Sequence, residues 1–369
     1  MSELEIKSDL LLYGIKTNQA SDELYFHQNP SEVEKTGNYG VFLNIGKFKV
    51  LVHCGHEFNQ KSPYSIIKVD DGYQLAKDDK SLNLDIAVMQ MPTWSKKTLS
   101  NGKNFSEYFV YEGDGFLHLG YKSCAFSKED MCKFCATKRA GNEDNFDFTA
   151  IEVANAAIEV LPEIPENVHF CLGGGTYLPF EKNVDYFYTI VKTIREAGYD
   201  NPIWIEMIPP SKADIKRLVD AGTSAFGFNL EVFDDKQRQF ICPGKSKVNK
   251  EQYLDGYKYA QQLLGEDKVG CCLIVGLDDS ENIKKGIDWL TSNGCHPCIL
   301  PLNLYNGCTL KEELNWKNVD KNEFTKLSKY AIDKMRENNL TLANNYGCLK
   351  CPCCTIQHDY EDLLSNTIR

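Results

Sequence analysis

From about Phe148 onward, short apolar runs of β-favouring residues alternate with amphipathic segments that end in glycine, and no other feature restricts the fold as much. The runs are VHFCLGG (168–174), IWIEMI (203–208), SAFGFNLE (224–231), VGCCLIVGL (269–277) and PCILPLN (297–303). Between them, TAIEVANAAIEVL (149–161) opens with a Thr149/Glu152 capping box and sets Val153, Ala157, Ile158 and Leu161 on one face. The next helix gathers Phe187, Ile190, Val191 and Ile194 and stops at Gly198; others end near Gly222, Gly265 and Gly294. Alternation of this kind predicts an α/β fold with a parallel sheet, open or closed into a barrel, and chemistry at the C-terminal strand ends.

The two ends of the chain read differently. Residues 1–108 carry short alternating runs, NYGVFLNIGKFKVLVHC (38–54) and YSIIKV (64–69), with few convincing helices, which predicts a small β-rich or α+β domain. The strand–helix region is expected over 109–310. Residues 311–369 form an extension with a helix pattern, KNEFTKLSKYAIDKMRENN (321–339), a strand-like LTLANN (340–345) and a cysteine cluster, CLKCPCC (348–354).

Composition narrows the partners. The net charge is −11 and lysines are scattered among acids, so the basic footprint of a nucleic-acid binder is missing and a small molecule is favoured. No run reaches the ~18 uninterrupted apolar residues of a membrane span, and MSELEIKSDLLLYGIKTN lacks a basic-then-apolar leader. A cytoplasmic protein without membrane contact is expected. There, fifteen cysteines read as metal ligands, reactive thiols or buried apolar residues rather than a disulfide framework.

Three thiols stand out in CAFSKEDMCKFC (124–135): Cys124, Cys132 and Cys135, with Phe134 before the last. Zinc normally takes four ligands, and here a fourth has to come from His53, Cys54 or His56 far upstream. Burial of three unrelated thiols fits poorly with Lys128, Glu129, Asp130 and Lys133 beside them. Three thiolates on a four-iron cluster leave one iron open for a substrate or cofactor. The loop follows GFLHLGYKSC (115–124), read as the first strand of the parallel series, which puts the thiols at the mouth of the sheet.

With this loop in place, residues 110–310 resemble the radical S-adenosylmethionine (SAM) superfamily, on its biotin-synthase-like side. The usual loop there is C-x3-C-x2-C with an aromatic before the last cysteine; this chain keeps the C-x2-C and the aromatic but has a first gap of seven. GGGTYLP (173–179) is similar to the family's glycine-rich motif, implying that Gly173, Gly174, Gly175 and Thr176 meet the amino group of SAM. NLE (229–231) is similar to the N-x-D that binds ribose hydroxyls, implying that role for Asn229 and Glu231. PGKSK (243–247) offers Lys245, ahead of Lys247, for the methionine carboxylate. In GCCLIVGLDD (270–279), Ile274 and Gly276 carry the match to the strand along the adenine, where Phe134 also packs. LPLNLYNGCTL (300–310) is similar to the sixth strand and its turn, and makes Cys308 a candidate to face substrate beside its ordinary packing role; Tyr121, three residues before Cys124, is a second candidate catalytic residue.

The resemblance implies a partial (β/α)6 TIM-like barrel with a 4Fe-4S cluster on Cys124, Cys132 and Cys135, reductive cleavage of SAM to a 5′-deoxyadenosyl radical, a small-molecule substrate, and a reductant such as flavodoxin or ferredoxin. In the tail, Cys348, Cys351 and Cys354, with Cys353, suggest an auxiliary iron-sulfur cluster, a zinc site, with Cys295 and Cys298 as contributors, or a thiophilic-substrate site. The whole chain also resembles an uncharacterised radical SAM family of nitrilase-type gene clusters, sharing Ser62-Pro63-Tyr64. Its C-L-K-C is similar to the tail of the radical SAM enzyme of arsinothricin biosynthesis, implying as an alternative the transfer of a 3-amino-3-carboxypropyl group from SAM to trivalent arsenic. A non-catalytic iron-sulfur or zinc module is the alternative from another class.

Overall fold

The computed structural model describes residues 2–25, 40–89, 92–113, 115–119, 124–135, 148–177, 179–305, 307–312, 314, 316–342 and 346–367. It contains two sheets. The first is antiparallel, with β1 (Gly40–Ile45), β2 (Phe48–His53), β3 (Tyr64–Val69), β4 (Gly72–Lys77) and β5 (Lys80–Val88) in the order β2-β1-β5-β4-β3. Its strands alternate buried and partly exposed positions, which gives the sheet one face against the core.

Helix α1 (Glu3–Tyr13) covers that face, and the sequence pattern did not announce it. Its buried side includes Lys7 and Asp9, which break the apolar stripe that marks a helix. Both charges are satisfied at a distance. Lys7 meets Asp359 at 2.6 Å, and Asp9 receives the Tyr64 hydroxyl at 2.7 Å and the Lys321 ammonium at 2.6 Å. A Ser2/Glu5 capping box fixes the helix start.

The second sheet has seven strands: β6 (Phe109–Glu112), β7 (Phe116–Leu119), β8 (His169–Leu172), β9 (Ile203–Glu206), β10 (Ala225–Gly227), β11 (Val269–Val275) and β12 (His296–Pro301), in sequential order. Strands β7 to β12 are parallel throughout, and β6 adds an antiparallel edge that the alternating rhythm does not reveal. Amphipathic helices cross between strands, among them α2 (Ala150–Val160), whose expected capping box at Thr149 is present. Residues 340–342 lie outside any strand, and 343–345 fall outside the described residues.

The C-terminal segment closes the structure. Gln357 turns its amide onto the edge of β12, where its oxygen accepts from the Ile299 N–H and its nitrogen donates to the Pro297 carbonyl, both at 2.8 Å. Upstream, the Cys353 carbonyl accepts from Leu51 of the first sheet at 2.9 Å. Among the described residues, no helix is long and apolar enough to cross a membrane.

Candidate functional site

The three-thiol loop sits at the C-terminal mouth of the parallel strands because its main chain is tied to three neighbouring turns. Ala125 donates to the Thr176 carbonyl at 2.8 Å, and the Thr176 N–H points at Cys124 Sγ at 3.4 Å. Further along, Lys133 donates to the Ile241 carbonyl at 2.8 Å, while its own carbonyl accepts from Leu310 at 3.0 Å. Cys124, Cys132 and Cys135 are each partly buried and line one cavity of about 210 Å³. Burial pushes the Cys124 thiol up, whereas a hydrogen bond with Cys242 holds Cys132 below the usual thiol range.

Of the residues singled out in the sequence, Phe134, Gly174, Gly175, Thr176, Asn229, Glu231 and Lys245 share that cavity. Gly173 stands just beneath, packed so closely that a Cβ would lie 2.7 Å from that of Glu206. Ile274 and Gly276 do not line the cavity. Ile274 is buried and donates its N–H to the Glu231 carbonyl at 2.9 Å, so it supports the wall from behind. Gly276, at φ +100°, is pressed against Val319 and Leu302.

Glu231 and Lys245 form the charged edge of the cavity. Their side chains meet at 2.7 Å and are only 10% and 20% exposed. Burial alone lowers the Lys245 ammonium, but the charges of Glu231 and Cys132 outweigh it and hold it well above its ordinary range. Glu231 adopts φ +67°, a left-handed conformation that costs a side-chain-bearing residue about 1 kcal/mol or more. Hydrogen bonds on both sides enforce it, from Glu231 N–H to Cys272 O and from Ile274 N–H to Glu231 O, both at 2.9 Å. The N-L-E stretch is therefore not a plain extended strand. Asn229 Oδ1 accepts from the Cys272 N–H at 2.9 Å, which leaves its NH2 group as the cavity-facing donor.

Lys247 is placed elsewhere, on the surface against Asp130 at 2.5 Å. The residues that lengthen the first gap of the cysteine loop pack beside this pair. The turn at Ser127–Asp130 docks on the short helix α3 (Pro243–Ser246): Gly244 donates to the Asp130 carbonyl at 2.9 Å, and a Cβ on Gly244 would stand 2.6 Å from that oxygen. The four extra loop residues thus buttress the helix that carries Lys245.

Sequence reasoning missed Phe126, Met131, Glu206, Met207 and Ile208, which also line the cavity. Glu206 ends β9, with its Oε1 accepting from Trp204 Nε1 at 3.1 Å. The rule that strand C-termini carry the chemistry was available to find it. Tyr121 lies outside the described residues. Cys308 is buried at the start of a short helix (Thr309–Glu312), away from the cavity lining, with its thiol raised by burial. His53 and His56 pack around Tyr305, the first accepting or donating at 3.1 Å to the phenol. The tail thiols divide: Cys348 makes side-chain hydrogen-bond contact with Cys171, Cys351 does so with Cys353, and Cys354 faces the field of Tyr305.

Residues 121–290 match the model of the radical SAM superfamily. Biotin synthase of Marinobacter nauticus is 23% identical over 175 residues, 47% of this chain and 47% of that one. Biotin synthase of Acinetobacter calcoaceticus is 26% identical over 136 residues, 37% of this chain and 39% of that one. The chain thus spans less than half the length of either relative. Among solved structures, methylornithine synthase aligns over 63% of this chain and 72% of that one, with TM-score 0.47 and 16% identity. The FeFe-hydrogenase maturase HydG from Carboxydothermus hydrogenoformans aligns over 61% of this chain and 51% of that one, with TM-score 0.46 and 17% identity. Residues 121–290 of this chain are a radical SAM domain.

Proposed function

We propose that the chain is a radical SAM enzyme acting on a small-molecule substrate. The observation that carries this reading is one cavity shared by three loop thiols, a glycine-rich turn and a buried Glu–Lys pair. The donor set fits a 4Fe-4S cluster: Cys124, Cys132 and Cys135 would hold it through their thiolates, with a site left over for SAM. When bound, this cofactor pair supplies the electron transfer that cleaves a carbon–sulfur bond of SAM, giving a 5′-deoxyadenosyl radical.

The chain's own residues then have defined tasks. Lys245 neutralises the methionine carboxylate, and the main chain of Gly174, Gly175 and Thr176 receives the amino group. Glu231 and the Asn229 amide bind the ribose hydroxyls. Phe134, Met131, Met207 and Ile208 wall the cavity with apolar surface, which excludes water from a reactive species. A small reduced protein such as flavodoxin or ferredoxin supplies electrons, in a reducing compartment that keeps the thiols free.

Anaerobic reconstitution with iron, sulfide, dithionite and SAM tests this: 5′-deoxyadenosine and methionine are expected, and Cys132→Ala abolishes them. A reconstituted four-iron protein that leaves SAM intact sinks the reading. Thiols in the barrel interior, Cys171, Cys272, Cys298 and Cys348, favour one second reading, 3-amino-3-carboxypropyl transfer to a thiophilic acceptor such as trivalent arsenic. Methylthioadenosine instead of 5′-deoxyadenosine identifies that chemistry. Iron content separates one cluster from two: about four atoms per chain for the loop alone, about eight if the tail thiols hold a second.

A further inference from the structure

Inside the barrel, below the cavity, lies a second group of donors. His118 of β7 and Cys171 of β8 are register partners on adjacent parallel strands, so both side chains leave the same face of the sheet. That face is the interior one, since Phe116, two residues before His118, is buried there beside Cys171, Trp204 and Leu349. Cys348 reaches the same spot from the tail. One donor atom from each of His118, Cys171 and Cys348 lies within 4.8 Å of the others, and the Cys171 thiol makes side-chain hydrogen-bond contact with both partners.

The fold makes room for this meeting. Gly347 takes φ +53° and sits where a Cβ would overlap Trp204. Leu349, on the other side of Cys348, fills the space left by Gly270, where a Cβ would lie 2.6 Å from the leucine methyl. Two glycines, one on the inserted segment and one on β11, thus let the tail bring a thiol into the barrel interior. Cysteines elsewhere, such as Cys295, are buried in the apolar core and behave as small hydrophobes. Cys171 differs because its neighbours are a thiol and an imidazole.

We propose that His118, Cys171 and Cys348 bind a single thiophilic divalent cation of the zinc class within the barrel. Two sulfurs and an imidazole nitrogen select a soft or borderline ion over magnesium or calcium. In a tetrahedral site with metal–sulfur bonds near 2.3 Å, donors stand roughly 3.5–3.8 Å apart, so three donors already within 4.8 Å close on one ion with small rotations. An iron-sulfur cluster spreads its terminal ligands over separate irons, which this compact trio does not suit. Cys272 and Glu206 lie near enough for their charges to act on Cys348. Glu206 also lines the cavity, so the two sites share a neighbour.

The test uses the full chain with Cys124, Cys132 and Cys135 replaced by alanine, so that the mouth binds nothing, titrated anaerobically with Cd2+ and Co2+. One equivalent is expected, with thiolate charge-transfer absorption, and metal-edge X-ray absorption that counts at least two sulfurs and one imidazole nitrogen. Cys171→Ser and Cys348→Ser each weaken binding at least tenfold, and His118→Gln removes the nitrogen signature. The proposal is overturned if no equivalent binds, if the absorption shows oxygen donors only, or if both serine variants bind like the parent. It is equally overturned if iron and sulfide load this variant as a cluster that the Cys348→Ser change prevents. The X-ray measurement needs no change at the site itself, so misfolding of a serine variant does not protect the idea.

Discussion

The Lys245 ammonium lies 2.7 Å from the Glu231 carboxylate, with both side chains largely shielded from water. Removing one member of such a pair strands the other charge, which costs about 3–5 kcal/mol, more than the pair itself contributes. Lys245→Met is therefore expected to lower stability by about 3 kcal/mol and SAM affinity by tenfold or more. Adding Glu231→Gln should restore stability in denaturant titrations without restoring SAM binding. If the single variant binds SAM normally in calorimetry, Lys245 does not hold the carboxylate.

The buttress between the cysteine loop and α3 has two parts of unequal strength. The Asp130–Lys247 ion pair is solvent-exposed on the lysine side and is worth ~0–1 kcal/mol, so Asp130→Ala should leave both stability and SAM affinity nearly unchanged. The main-chain contact at Gly244 has no room for a side chain. Gly244→Ala must push the cysteine loop away from the helix bearing Lys245. A loss of SAM affinity in Gly244→Ala, beside a silent Asp130→Ala, is the expected contrast; equal effects would refute the idea that main-chain packing sets the position.

Much of this arrangement was legible beforehand. The strand–helix rhythm announced the parallel strands because both periods are local properties, and the loop thiols, Gly174–Thr176 and Asn229–Glu231 all fall at strand ends as the fold requires. What could not be read was set by distant partners. Helix α1 hides Lys7 and Asp9 behind Asp359, Tyr64 and Lys321, so its pattern looked solvated. Spacing groups the tail thiols into one site; what spacing does not reveal is that Gly347 and Gly270 admit Cys348 into the barrel beside Cys171, while Cys351 meets Cys353. Ile274 and Gly276 resemble cavity residues in sequence but do not line the cavity: Ile274 donates to the Glu231 carbonyl from behind, and Gly276 packs on Val319 and Leu302.

Gln357 replaces a neighbouring strand at the edge of β12. Its buried amide satisfies one N–H and one carbonyl that otherwise face no partner in the sheet. Gln357→Ala should destabilise by about 2–4 kcal/mol, since two buried backbone groups lose their bonds together. Hydrogen exchange at Ile299 should rise more than at the central strand β9. Unchanged protection at Ile299 would mean that another group closes this edge.

Histidines that burial holds below their ordinary range, His53, His56, His169 and His358, set an acid limit on the fold. Burial, then the neighbouring charge of His56, lowers His53 to about 3; burial, then Lys311, lowers His56 to about 4; burial, then Lys350, lowers His169 to about 4. Each is neutral when folded near pH 7, and each takes up a proton near its ordinary 6.5 once unfolded. The unfolded state therefore binds more protons as pH falls through 6.5, and stability drops from there down to the folded values, while it is flat with respect to these groups above pH 7. Carboxylates join only near pH 4.5, so the interval from about 6.5 to 5 belongs to the histidines. His53, His56 and His169 together contribute a slope that approaches about 4 kcal/mol per pH unit, and His358, also lowered by burial, adds in the same direction. Urea unfolding of the metal-free full-length chain at pH 7.5, 6.5 and 5.5 measures it, without interference from cluster loss. Replacing His169 by Phe, against Phe116 and Tyr346 with ring centroids 5.6 and 5.8 Å away, should remove roughly a quarter to a third of the slope. Equal stability at pH 7.5 and 5.5 would mean that these imidazoles are hydrated and protonated in the native protein, and the packing of His53 under Tyr305 would have to be abandoned with it.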